Sequence, residues 1–158
     1  MSATLEGGLM PANPEGLGIE RRFTEAGAEP FDALEWKKRD TLIRNFDGTT
    51  AFEMRGVNLP TNYSQTAANV LAQKYFRKAG VPTEVKRVKE ADVPEFLWRS
   101  VPAAADTEKG GETSSKQVFD RLAGAWAYWG WKGGYFSTEA DAQAYYDEMR
   151  HMLASQRA

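Results

Sequence analysis

The sequence contains few large aliphatic residues, and this scarcity limits the kind of core that the chain can build. Leucine, valine, isoleucine and phenylalanine together make up 28 of the 158 residues, and only two of these are isoleucine. The strands of a large buried parallel sheet are rich in valine and isoleucine, so such a sheet is excluded. Five tryptophans and six tyrosines supply the missing volume. We therefore expect one globular domain with an aromatic core.

The chain has no cysteine, and its 20 basic and 22 acidic side chains nearly balance. The missing cysteines exclude disulfides, thiolate zinc sites, iron–sulfur clusters and thiyl-radical chemistry within these residues. The net charge of −2 lacks the basic excess of a dedicated nucleic-acid binder, so nucleic acid is not an expected partner. No apolar run approaches the roughly 18 residues of a membrane span. We expect a cytoplasmic protein without a membrane partner.

The first part of the chain is predicted to be a flexible tail followed by a β-hairpin. Residues 1–18 contain four glycines and two prolines, without the basic start or apolar run of a secretory signal. An Asp47-Gly48 turn signal lies between residues 41–44 and 50–54, in which apolar and polar side chains alternate. Because an isolated hairpin is marginally stable, we expect this one to pack on the rest of the domain.

Two helices are predicted from apolar periodicity and capping residues. The first is expected over residues 64–79, with a serine cap at its start and Gly80 as its stop. The second is expected over residues 115–128, after the capping-box pattern Ser-Ser-Lys-Gln, and Gly130 is expected to break it. Both helices carry wide apolar surfaces, which is typical of helices packed on two sides.

A third helix is predicted over residues 138–154, with Ser137 as its cap and two carboxylates in its first turn. Its expected core stripe consists of Ala142, Tyr145, Met149, Met152 and Leu153. The predicted fold class is therefore α+β and mainly helical: an N-terminal β-hairpin region followed by about three packed helices.

One pattern on the third helix is of the kind that binds metals. Glu148 and His151 form a Glu-x-x-His motif, which di-iron carboxylate proteins use in pairs. The sequence contains one histidine, so the second motif is missing and we expect His151 to lie on the surface. A Ser-His-Asp triad is disfavoured because no Gly-x-Ser-x-Gly elbow is present. The sequence predicts no catalytic and no metal-binding residue, and it indicates no cofactor-binding residue.

The densest unusual feature is an aromatic stretch at residues 126–136, which holds six of the 19 aromatic residues. One interpretation is a stacking platform for nucleic-acid bases. Such platforms need a basic groove, and Lys132 is the single basic residue of the stretch. The favoured interpretation is a core or interdomain contact, because aromatic residues dominate both.

Several strings of residues resemble the N-terminal domain of the adenosylcobalamin-dependent (class II) ribonucleotide reductases. The strings include Ile-Glu-Arg-Arg-Phe-Thr, Gly-Gly-Glu-Thr-Ser and Tyr-Trp-Gly-Trp-Lys-Gly-Gly-Tyr-Phe. The matching segments are residues 19–24, 72–82, 110–114, 117–124 and 128–136. The resemblance implies that residues 19–158 form that domain and that the catalytic barrel is absent from this chain.

The resemblance also implies an activity, the reduction of ribonucleotides to deoxyribonucleotides for DNA synthesis. In this family adenosylcobalamin generates a thiyl radical on a cysteine of the barrel, and the substrate, a ribonucleoside diphosphate or triphosphate, binds to the barrel. We expect adenosylcobalamin in the whole enzyme but none bound to this cysteine-free chain, which alone is predicted to be inactive. The expected partner is the catalytic barrel, in cis or in trans. The alternative is a stand-alone interaction module, or a split-gene fragment, that acts on a catalytic partner in trans.

Overall fold

The computed structural model describes residues 13–157, and its main elements are a long β-hairpin and three α-helices. They are β1 (Trp36–Arg44), β2 (Thr50–Pro60), α1 (Gln65–Lys74), α2 (Ser115–Lys132) and α3 (Glu139–Ser155). Four short strands form two further antiparallel pairs between α1 and α2: β3 (Val81–Pro82) with β6 (Lys109–Gly110), and β4 (Val85–Arg87) with β5 (Ser100–Pro102). The predicted α+β class is confirmed. The prediction of a mainly helical domain is not confirmed, because the hairpin strands alone contain 9 and 11 residues.

The predicted hairpin is confirmed, with the turn at the expected position. Strands β1 and β2 are antiparallel, and the pairing sets Thr41 opposite Met54 and Ile43 opposite Phe52. Gly48 adopts a φ of +86°, a conformation that glycine adopts at little cost. The base of the hairpin is deeply buried, where Val57 and Leu59 of β2 pack in the core, and Thr41 of β1 is fully buried as well.

The starts of the helices follow the capping residues closely. Ser64 caps α1 as predicted, and the Ser114–Gln117 capping box of α2 is complete. For α3 the predicted cap is wrong. The cap is Thr138, whose hydroxyl accepts the backbone N–H of Asp141 at 3.1 Å. The Ser137 hydroxyl instead donates to the backbone carbonyl of Gly16, in the N-terminal segment that comprises residues 13–35. Both residue types are good caps, so tertiary contacts decide which one serves.

The end of α1 differs from its prediction. The helix ends at Lys74, well before Gly80. Glu112 accepts the backbone N–H of Arg77 at 2.8 Å, and the ammonium of Lys78 donates to a carbonyl in the last turn of α1. These side chains satisfy the backbone groups that further helical turns would otherwise pair, so the chain leaves the helix early.

The end of α2 also differs, and here the helix is longer than predicted. It continues through Gly130 to Lys132, and Gly134 then adopts a φ of +69°. Gly130 is buried against Phe136: a Cβ added there would lie 2.7 Å from the ring atom Cε2. The glycine therefore serves close packing within the helix rather than a break in it.

The core consists of two clusters. The larger lies between the hairpin base, α1 and the first half of α2, and it contains Phe31, Val57, Leu59, Tyr63, Leu71, Phe76, Val118 and Phe119. The smaller lies between α2, α3 and the loop around residue 95, and it includes Val93, Leu97, Ala127, Trp131, Tyr145 and Tyr146. Aromatic rings occupy both clusters, as the composition predicts.

The predicted flexible tail, residues 1–18, falls partly outside the described residues, which begin at residue 13. The described part lies along the start of α3. The N–H of Leu17 donates to the carbonyl of Tyr135 at 2.7 Å, and the N–H of Ser137 donates to the carbonyl of Leu17 at 3.0 Å. The division of the chain at residue 18 stays a prediction.

Candidate functional site

The buried residues of α3 include charged side chains as well as the alanines Ala142, Ala144 and Ala154. Of the predicted stripe only Ala142 is fully buried, whereas Asp147, Glu148, Arg150 and His151 are all buried. Buried charges are retained only where partners satisfy them. These four side chains therefore have to be explained by what they contact.

The buried guanidinium of Arg150 is the centre of an ion-pair network whose carboxylates are partly exposed. Its guanidinium contacts Asp120 of α2 at 2.6 Å and Glu29 of the N-terminal segment at 2.7 Å, and it lies over the ring of Phe31 at 4.4 Å. Partial burial raises the pKa of Asp120 despite the neighbouring guanidinium. Burial acts against the charge of Arg150 too, but the carboxylates prevail and its pKa is raised. The network joins α2, α3 and the N-terminal segment.

Glu148 and His151, the Glu-x-x-His pair, hold the same N-terminal segment. The carboxylate of Glu148 accepts the backbone N–H of Phe23 at 3.1 Å and both the N–H and the hydroxyl of Thr24, at 2.9 and 2.6 Å. Burial favours the protonated form of Glu148, but these donors outweigh it and lower its pKa. Residues 19–24, one of the strings that carry the resemblance, are thus bound to α3.

The expectation that His151 lies on the surface is wrong. The imidazole is 7% exposed, and it stacks on the ring of Phe23 with the centroids 5.5 Å apart. The guanidinium of Arg157 also lies over the Phe23 ring, 4.8 Å from its centroid. The motif therefore builds a tertiary contact. In the sequence, the feature that relates to this contact is Phe23, the aromatic residue within the matched string 19–24.

Three of the six aromatic residues of the 126–136 stretch are engaged inside the domain. Phe136 packs under Gly130, the indole N–H of Trp131 donates to the carbonyl of Asp92 at 2.6 Å, and Tyr128 donates to Glu90 at 2.8 Å. Lys132, the basic residue that a stacking platform would use, also pairs with Glu90, at 3.1 Å.

Three apolar side chains near the end of α2 remain exposed, and we call them the α2-end patch: Leu17, Trp129 and Tyr135. Their exposed fractions are 63%, 65% and 64%. Trp129 lies one helical turn before Gly133, and the ring of Tyr135 lies close over that same glycine. Leu17 is hydrogen-bonded to the backbone of Tyr135. The three residues thus lie on segments that come together where α2 ends.

Within residues 13–157, no group of three or more histidine, aspartate or glutamate side chains is arranged to hold a metal ion. A hollow lies between the loop around residue 95 and the start of α3, open to solvent and lined by charges of both signs. Its one guanidinium, Arg87, already donates to the carbonyls of Phe96 and Trp98. None of the described helices is long and apolar enough to cross a membrane.

Comparison with known proteins gives a consistent match. Residues 37–156 match the family model described as class II vitamin B12-dependent ribonucleotide reductase, a model of the N-terminal region. The matched range contains β1 except its first residue, Trp36, together with β2 and the three helices, and it leaves out residues 19–24.

Individual relatives agree with the family match. The chain is 53% identical over 150 residues to the vitamin B12-dependent ribonucleotide reductase of Bradyrhizobium diazoefficiens, and 53% identical over 148 residues to that of Agrobacterium fabrum. It is 32% identical over 144 residues to the same enzyme of Streptomyces clavuligerus. These alignments cover 89 to 90% of this chain but 12% of each relative, so the chain spans about an eighth of the length of the relatives it matches.

Proposed function

Because the chain belongs to the class II vitamin B12-dependent ribonucleotide reductases and corresponds to their N-terminal domain, we propose that it packs on the catalytic part of such an enzyme and supports it structurally. The enzyme as a whole reduces ribonucleotides to deoxyribonucleotides with adenosylcobalamin. A cytoplasmic location is part of the proposal, since deoxyribonucleotides are the precursors of DNA.

The α2-end patch carries the proposal. Trp129 and Tyr135 are rigid, amphipathic aromatic residues of the type that dominates binding energy at protein interfaces. Both are about two-thirds exposed, whereas Tyr128, Trp131 and Phe136 of the same stretch make contacts inside the domain. Burying the patch removes apolar area from water at about 25 cal/mol per Å². A neighbouring domain of the same enzyme is the partner that the family match supplies.

The chemistry is assigned to the catalytic part because this chain does not fit a cobalamin or radical site. A thiyl radical needs a cysteine, and the sequence has none. The single imidazole, His151, is buried under Phe23, where it has no access to a cobalt ion. The residues of this chain orient and support, and the bond-breaking steps belong to the cysteine-bearing part.

A binding experiment tests the proposal. The 158-residue chain and the rest of the reductase are produced separately, and their association is measured by calorimetry. The pair Trp129→Ser and Tyr135→Ser is expected to weaken binding by about tenfold or more, as loss of aromatic anchors does. Val85→Ser, at an exposed valine outside the patch, is the matched control and leaves binding unchanged. Equal binding by the double variant and the control would contradict the proposal.

An activity assay tests the division of labour. With ribonucleotide, adenosylcobalamin and a dithiol, the chain alone is expected to show no turnover, and measurable turnover would overturn the proposal. The alternative of a stand-alone module that acts in trans differs only in covalent connection. The reading frame beyond Ala158 decides between the two.

A further inference from the structure

The far end of the β-hairpin projects from the domain and carries an exposed phenylalanine. Residues 44–51 are all exposed, and the Phe46 side chain at the turn is fully so, at 110% of its reference area. The backbone of Leu42 pairs with the side-chain amide of Asn69 in α1, and the ammonium of Lys78 lies 5.1 Å from the ring of Phe52 on β2. Beyond Leu42 the hairpin extends for about four residues, or about 13 Å at the usual strand rise.

The turn that presents Phe46 is held by a dense set of hydrogen bonds. The carboxylate of Asp47 accepts the N–H and the hydroxyl of Thr49, at 2.9 and 2.6 Å. Asn45 donates its backbone N–H to the Thr49 carbonyl and its side-chain amide to the Thr49 hydroxyl, at 2.8 and 2.9 Å. Arg44 donates to the carbonyl of Gly48 at 3.2 Å. Every side chain of the turn except Phe46 is therefore engaged within it.

This combination differs from ordinary surface exposure of a single apolar residue. An ordered turn has already lost the conformational entropy that binding would otherwise cost. A large aromatic ring held fully in water at the tip of such a turn is the arrangement of a preorganised interface anchor. Asp47 holds the turn in one conformation, because its carboxylate accepts two hydrogen bonds from the same residue, Thr49.

We propose that Phe46 is an anchor that inserts into an apolar pocket of the remaining part of the same reductase. This inference rests on the proposed function, that the chain is a domain of that enzyme. The anchor is distinct from the α2-end patch, because Phe46 belongs to the hairpin turn and the patch to the end of α2.

The size of the anchor selects this partner over a second copy of the domain. One phenylalanine buries about 200 Å², whereas a stable interface between separate molecules buries about 1,200–2,000 Å². A single anchor is sufficient where both parts are already held together, since the effective concentration is then high. The matched relatives offer such a partner, because 12% of their length corresponds to this chain.

Photochemical cross-linking in the complete reductase tests the inference. The replacement Phe46→p-benzoylphenylalanine places a photoreactive ring at the tip, and Val85→p-benzoylphenylalanine is the control at another exposed apolar position. After irradiation, the expected products at position 46 are cross-links to the catalytic part, well above those of the control. Cross-links between two copies of the domain, or none above the control, would overturn the inference.

A third label keeps the two proposals separable. Trp129→p-benzoylphenylalanine reports on the α2-end patch in the same experiment. Cross-links from position 129 without cross-links from position 46 contradict the anchor role of Phe46 but agree with the proposed function. Absence of cross-links from both positions contradicts both proposals. Because Phe46 is fully exposed among the described residues, 13–157, Phe46→Ser is expected to leave the unfolding of the isolated chain unchanged. A loss of binding in this variant is then not a loss of folding.

Discussion

The two ends of α2 use aromatic residues for opposite purposes. At the first end, Phe119 is 2% exposed and lies in the larger core cluster, between Phe31 and Tyr63. At the last end, Trp129 is 65% exposed, although it belongs to the most densely aromatic stretch of the sequence, residues 126–136. The difference shows that aromatic content alone does not separate a core from a contact surface. What surrounds each ring separates them.

The largest expected effect compares these two rings directly. Phe119→Ala leaves a cavity in the core and is expected to lower the free energy of unfolding by about 3–5 kcal/mol. Trp129→Ala removes a ring that is mostly in water and is expected to cost about 1 kcal/mol or less. Urea unfolding of both variants measures the difference. Equal losses would show that Trp129 belongs to the core of the isolated domain.

The next effect concerns the charged network that joins the first half of α2 to α3. Arg150→Met leaves Asp120 and Glu29 without their shared partner and is expected to cost about 2 kcal/mol, less than a fully buried pair because both carboxylates are partly exposed. Arg55→Met is the matched control, since Arg55 pairs with Glu53 on the surface, where the loss of an ion pair changes stability little. If Arg150→Met lowers the free energy of unfolding no more than the control does, the network does not stabilise the domain.

Two helical glycines distinguish packing from helix breaking. Gly130→Ala brings a Cβ to 2.7 Å from the Phe136 ring and is expected to destabilise the domain by about 1 kcal/mol, the strain exceeding the gain in helix propensity. In Gly124→Ala the nearest atom lies 3.7 Å away, on Tyr146, so the same change is expected to stabilise by about 0.5–1 kcal/mol. Thermal unfolding of the two variants gives the sign of each effect, and equal signs would contradict the packing role of Gly130.

The smallest effect is a pH dependence from Glu148. Its pKa in the fold is lowered below the ordinary 4.5, so its contribution to stability is complete well above pH 4.5 and is lost as the pH falls through the lowered pKa. Glu148→Gln is expected to cost about 1 kcal/mol at neutral pH and to flatten the fall of stability on the acid side. Urea unfolding from neutral pH into this acid range measures both slopes. A variant with the same acid slope as the original chain would show that other carboxylates cause it.

Local signals predicted the parts of the fold that local interactions determine. The Asp47-Gly48 turn and the Ser114–Gln117 capping box are satisfied within a few residues of chain, and both are confirmed. The ends of the helices were wrong because distant residues decide them: Glu112 ends α1, and the ring of Phe136 makes Gly130 a helical residue. Each requires a partner that periodicity does not reveal.

The candidate site, too, is predictable from the sequence only in part. The aromatic stretch is visible in the sequence, and the sequence favours its interpretation as a core or interdomain contact. The separation of Trp129 and Tyr135 from the buried rings required the structure. The sequence does not reveal that Glu148 and Arg150 of α3 are buried, because their burial depends on the backbone of Phe23 and on Glu29, far away in the chain.

The most direct test of the central claim is the exposure of Trp129 in the complete reductase. Hydroxyl-radical footprinting with mass spectrometry measures this side chain individually, in the 158-residue chain and in the whole enzyme, with Val85 as the reference position. We predict strong oxidation of Trp129 and Tyr135 in the isolated chain and strong protection of both in the complete enzyme, with Val85 unchanged. Equal oxidation of Trp129 in the two proteins would contradict the claim that the end of α2 is the surface on which this domain packs.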